Sequence, residues 1–159
     1  MPMYYPFPMV KKKIYKPKND DEFLAQIAKI IFVAGFRYSI VEERWPLIRK
    51  AFNNFNVNKL SKFNNKEVEK IMKSKGMIKN IGKIEAIIEN SKKCKELQKK
   101  HGSVLKWIEK LKKDYKKDPL FNPSLEESFM EFHRIGKITS GWIASLHNSK
   151  GTYLEYEMG

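Results

Sequence analysis

The chain is poor in several residue types whose scarcity narrows what it can be. It has one cysteine, Cys94, so no internal disulfide can form and no site that needs two cysteines can exist. It has three histidines and no Cys near either end, so a structural zinc site, which takes four ligands, is not expected. No apolar run approaches the roughly 20 residues of a membrane span. The first ten residues are rich in proline and aromatics and lack the charged-then-apolar order of a signal peptide. Arginine is scarce: Arg37, Arg44, Arg49 and Arg134 stand beside 28 lysines. Strand-like alternation and internal repeats are absent as well.

What the chain has in excess is positive charge and aromatic rings. The net charge of +14 over 159 residues points to a polyanionic partner, with DNA, RNA and an anionic membrane all compatible. A lysine-rich composition also arises as a solvated surface without such a partner. Hydrophobic residues at 42% are enough for one packed core, and aromatics at 13% leave rings for a surface or pocket as well.

Residues 1–18 read as an irregular arm, because Pro2, Pro6, Pro8 and Pro17 oppose regular structure. Residues 19–159 read as a single helical domain. Asn19-Asp20-Asp21 signals a helix start, and Phe23, Leu24, Ile27, Ile30 and Ile31 follow at helical spacing up to Ala34-Gly35. Pro46 is expected to open the next helix. Asn56 and Asn64 or Asn65 cap two short ones, with Gly76 as a terminator. A long helix is expected from about Asn80 to Lys99, and Ser103 caps another. The lysine-rich residues 112–123 read as a loop. A helix from Ser124 to about His133, a tight turn at Arg134-Ile135-Gly136-Lys137 and a helix from Thr139 to Leu146 complete an all-α fold, before a short acidic tail.

The helix–Gly turn–helix at residues 125–147 is the most informative local feature. Such a hairpin offers backbone N–H groups at the start of its second helix, where they and the positive helix end suit a phosphate oxygen. Gly136 would let the chain approach a phosphodiester closely, and Lys137 adds charge beside it. One glycine between two helices is also an ordinary connector.

The order of segments adds a family resemblance. Val33-Ala34-Gly35-Phe36-Arg37-Tyr38-Ser39-Ile40-Val41, then Arg49-Lys50-Ala51-Phe52, then Lys59-Leu60-Ser61-Lys62-Phe63, and above all Gly76-Met77-Ile78-Lys79-Asn80-Ile81-Gly82-Lys83-Ile84-Glu85-Ala86-Ile87-Ile88-Glu89-Asn90, follow one another. This series resembles the 3-methyladenine DNA glycosylase I family, within the helix-hairpin-helix DNA glycosylases. His133-Arg134-Ile135-Gly136-Lys137-Ile138-Thr139 looks like the family's hairpin.

The resemblance implies an enzyme that binds double-stranded DNA as a monomer, flips a damaged base and hydrolyses its N-glycosidic bond, without lyase activity or cofactor, in the cytoplasm at the nucleoid. It places Tyr38 where the family has a pocket tryptophan, with Trp45 nearby. It puts Arg134, Gly136, Lys137 and Thr139 on the phosphate backbone, joined by Lys79, Asn80 and Lys83. Two departures stand out: Ile30 replaces the family's base-reading Glu and Phe32 its Gln. The zinc ligands of the family are missing, so no metal is expected. The hydrolytic carboxylate of other helix-hairpin-helix glycosylases has only Glu155 and Glu157 as counterparts. A DNA-binding protein that kept the fold without the chemistry is the alternative.

Overall fold

The computed structural model describes residues 10–14, 16–148 and 153–157, the two outer segments by their backbone alone. Eight α-helices, counted among these residues, carry the fold: α1 (Asp20–Val33), α2 (Tyr38–Ala51), α3 (Val57–Leu60), α4 (Asn65–Met72), α5 (Ile81–His101), α6 (Val104–Lys117), α7 (Leu125–Phe129) and α8 (Lys137–Asn148). A two-stranded antiparallel ribbon joins the ends of the chain, with β1 (Val10–Ile14) against β2 (Tyr153–Glu157) in the register Lys12 opposite Glu155. The architecture is helical, as the sequence predicts.

Four local expectations are corrected. Residues 10–14 are a strand and not part of an irregular arm, and the acidic tail supplies its partner; neither alternates in hydrophobicity, so the pairing left no pattern to read. Pro46 lies inside α2 and does not start a helix. It is on the exposed face, where water can take the carbonyl that the missing N–H leaves unpaired. The lysines up to Lys117 continue α6, because Val104, Trp107 and Ile108 anchor one face and leave the charges on the other. The helix from Ser124 stops at Phe129, and a run of turns fills the gap to Gly136.

The core forms around α1, which is buried on nearly every side. Phe23, Leu24, Ile27, Ile31 and Phe32 are almost completely enclosed. Phe23 meets Phe129, Phe132 and His147 at 5.6–6.0 Å, which ties α1 to the hairpin. The first turn of α1 also organises its neighbours. Asp20 accepts from the Val104 and Leu105 amides at 2.9 and 3.2 Å and from Gln98 Nε2 at 2.8 Å, and Asp21 accepts from the Val57 amide at 3.0 Å. Two buried helix starts thus receive a carboxylate from inside the chain.

The linker after α2 is left-handed at three consecutive residues, Asn53, Asn54 and Phe55, with φ of 51°, 55° and 57°. Asparagine tolerates this region; phenylalanine rarely enters it. The Phe55 ring is held in compensation by stacking on Phe52 at 5.1 Å and Trp45 at 5.3 Å.

Candidate nucleic-acid interface and base hollow

Three elements converge on the hairpin: the end of α1, the start of α5, and the turns between α7 and α8. Asn90, fully buried on α5, holds the turn in place. Its Oδ1 accepts from the His133 amide at 2.7 Å and its Nδ2 donates to the His133 carbonyl at 3.1 Å. The next residue, Arg134, has φ of 61°, so the left-handed position falls there and not on Gly136. That twist sends the guanidinium over the start of α5. Gly82 leaves room for it, since a Cβ there would collide with the Arg134 side chain.

Gly136 itself has open space around it: no protein atom lies within 4 Å of where a Cβ would stand. Neither its φ nor its neighbours inside the protein require glycine. Thr139 Oγ1 accepts from the Gly136 amide at 2.9 Å and donates to the Gly136 carbonyl at 3.2 Å, while Ser140 N–H donates to the same carbonyl at 2.8 Å. These bonds fix the first turn of α8. The amides of Lys137, Ile138 and Thr139 have no acceptor within the helix and open its N-terminus. Gly136 offers no side chain to cap them, and Lys137 and Ile138 are exposed.

A hollow of ≈ 540 Å³ lies against this turn, lined by Ile31, Ala34, Lys83, Met130, Phe132, Arg134, Ile135 and Gly136. No carboxylate lines it, and two cations do. Exposed apolar groups border the same region: Met130 on its wall, and Phe36, whose ring lies 5.8 Å from Lys83 Nζ.

Lys83 has a structural role as well. It was expected among the DNA contacts, but it is 7% exposed and donates to the carbonyls of Phe32 at 3.0 Å and Ala34 at 2.7 Å. Its ammonium closes the C-terminus of α1, where the helix dipole favours a cation. Burial, and secondarily Arg134, push its pKa down from the ordinary lysine value. Asn80 is likewise engaged in structure, since its Oδ1 caps α5 by accepting from the Lys83 amide at 3.1 Å. Lys79 is exposed beside it.

The residues expected at the base sit on the other side of α1. Ile30 and Phe32 are enclosed in the core, Phe32 against Phe52 at 6.0 Å, so neither offers a surface to a ligand. Tyr38 is 6% exposed. Trp45 is half-buried and lines a second hollow of ≈ 700 Å³, together with Glu22, Gln26 and Lys29 of α1, Arg49 of α2 and the segment 16–19. Lys29 joins the two aromatics: its Nζ lies 5.5 Å from the Tyr38 ring centroid and 5.6 Å from that of Trp45, and it pairs with Glu42. Arg49 pairs with Glu22. Gln26 Oε1 lies 3.0 Å from Nε2 of the buried His147, whose imidazole is held at a pKa of about 4 by burial first and by Lys16 and Lys112 second.

Lys29 and Gln26 were not singled out from the sequence; their only signal is that they are the polar positions of α1 beyond its acidic first turn. Glu155 and Glu157 belong to β2, and their side chains lie outside the described residues. Among the described residues no group of His, Cys, Asp and Glu could hold a metal ion, and no helix is long and apolar enough to cross a membrane.

Comparison with solved structures gives the same fold. A crystal structure of 3-methyladenine DNA glycosylase I superposes with a TM-score of 0.65 at 17% identity, over 90% of this chain and 82% of that one. The Staphylococcus aureus 3-methyladenine DNA glycosylase I gives 0.57 at 15% identity, over 83% and 77%. A variant of such a glycosylase in complex with 3-methyladenine gives 0.55 at 16% identity, over 58% of this chain and only 50% of that one, so the matched part spans half that protein. The sequence matches the methyladenine glycosylase family over residues 15–133, a stretch that includes the hollow beside Trp45 and the start of α5 but stops before Gly136. With most of its length inside that match, the chain belongs to the methyladenine glycosylase family.

Proposed function

We propose that the protein is a monofunctional DNA glycosylase of base-excision repair, acting as a monomer in the cytoplasm at the nucleoid, that releases an alkylated purine from double-stranded DNA by hydrolysing its N-glycosidic bond. The observation that carries the DNA partner is the hollow beside Gly136, whose lining holds no carboxylate. Arg134, the open α8 amides and Lys137 accumulate positive potential there with no acid lining the hollow between them. A phosphate oxygen satisfies this arrangement, and a Gly136 with no internal need for glycine suits close passage of the DNA backbone. Arg134, Lys137 and Thr139 grip the backbone, Thr139 by fixing the turn, and Lys79 adds a contact from the start of α5.

The flipped nucleotide enters the hollow beside Trp45, with Tyr38 supporting it through Lys29. Removal from water and from the base stack weakens the bond to the sugar, water attacks the sugar carbon, and the base leaves. Glu155 or Glu157 orients that water. The family membership and the helical fold support this reading, and no cofactor enters it.

The test is base release from duplexes carrying single alkylated purines, comparing wild type with Trp45→Ala and Tyr38→Ala. Release by wild type, reduced at least about tenfold in Trp45→Ala, is expected. Tight duplex binding with no base released from any lesion would instead establish the non-catalytic DNA-binding protein.

A further inference from the structure

The aromatic faces proposed to meet the base already carry a cation. Lys29 Nζ stands 5.5 Å from the Tyr38 ring and 5.6 Å from the Trp45 ring, so one ammonium serves both. Glu42 fixes it there by an ion pair. This is the position in which an aromatic pocket would hold a positively charged ligand, because the negative ring faces attract it. The charge of the surroundings agrees. Lys16, Lys18, Lys29 and Arg49 line the hollow, against a single lining carboxylate, Glu22, which Arg49 occupies. On α1, the position where the family's base-reading Glu would stand is the buried Ile30, so the acid that α1 brings to the hollow is Glu22, already held by Arg49.

Purines alkylated at N3 or N7 are cationic as nucleosides, whereas an exocyclic adduct such as 1,N6-ethenoadenine leaves the ring neutral. A cationic base would have to displace Lys29 or sit against it. We propose that Lys29 determines base specificity, directing the hollow beside Trp45 to alkylated purines with a neutral ring and excluding cationic ones. The neutral base lies beside Trp45 and Gln26, both of which line the hollow; Gln26 Oε1 is engaged by His147 Nε2, so its Nε2 is the group that donates to the base. This inference rests on the glycosylase reading and names its substrate class.

The experiment has two arms. In the first, calorimetric titration compares 1,N6-etheno-9-methyladenine, which is neutral, with 3,9-dimethyladeninium, a fixed cation of similar size. Wild type is expected to prefer the neutral ligand at least about tenfold, and Lys29→Met to reduce or reverse that preference. Glu42→Gln, which leaves the ammonium without its counter-charge, is expected to sharpen it, and circular dichroism checks that each variant folds. In the second arm, single-turnover release is compared between duplexes carrying 1,N6-ethenoadenine and 7-methylguanine. Equal or tighter binding of the cation by wild type, or an unchanged preference in both variants, overturns the role of Lys29. Neutral-selective binding without release of either base overturns the glycosylase reading and leaves the specificity of the hollow standing.

Discussion

Two helix starts in this molecule face the same physical demand and meet it differently. At the start of α6, Ser103 caps the Lys106 amide at 3.0 Å and the Asp20 carboxylate takes the Val104 and Leu105 amides. At the start of α8, Gly136 brings no capping side chain, Lys137 and Ile138 are exposed, and the cations Arg134 and Lys137 flank the glycine. The α6 terminus is finished by folding. The α8 terminus is stereochemically fixed by Thr139, Ser140 and Asn90 and is electrostatically unfinished. Buried donors that no water reaches must find an acceptor within the protein, whereas exposed ones can be left for a partner. On the proposed function, the difference separates a device for stability from one for binding.

Each half of that contrast can be broken separately. Asp20→Ala strands buried amides at α6 and the Gln98 amide group, so a loss of about 3 kcal/mol is expected in denaturant unfolding, with the salt dependence of DNA binding unchanged. A matching loss of binding would mean the two termini are not independent.

The far end of α8 gives the next largest effect. His147 is buried, and its folded pKa of about 4 lies below the value of about 6.5 of the unfolded chain. The unfolded state therefore binds more protons between those values. Stability present above pH 6.5 is lost as pH falls toward 4, by up to about 3 kcal/mol. Thermal unfolding between pH 7 and pH 4.5 checks this, and His147→Gln should flatten the dependence.

The smallest expected effect on stability is at the hairpin. Gly136→Ala adds a methyl group where no protein atom is near, so unfolding should change by less than about 1 kcal/mol. Duplex affinity should fall about tenfold, because the methyl group occupies the approach path of the phosphate. A variant that loses stability and keeps affinity would show that the glycine serves the fold.

These contrasts also explain what could be read from the sequence. Helix starts were legible wherever a side chain caps them: Asn19, Asn56, Asn64, Asn80, Ser103 and Ser124 each accept from an amide of the first turn. Pro46 misled because its tolerance depends on which face of α2 meets water, a tertiary fact. The β1–β2 pair was invisible for the reason that pairing across 138 intervening positions leaves no local pattern. At the site, glycine and basic residues marked the hairpin. Lys83, Ile30 and Phe32 are buried, and burial depends on neighbours far away in the chain. Lys29 went unnoticed since a lysine in a lysine-rich chain carries no signal until its ring partners are known.

Cys94 has one further consequence. It is fully enclosed in α5, and burial, followed by Asp20 and Asp21, pushes its thiol well above the ordinary range. The thiolate is the form that attacks an electrophile, so this sulfur stays inert while the fold is intact. A protein proposed to work on alkylated DNA would meet the reagents that damaged it. Its most vulnerable nucleophile is chemically silent toward them, and it becomes reactive only when the molecule opens.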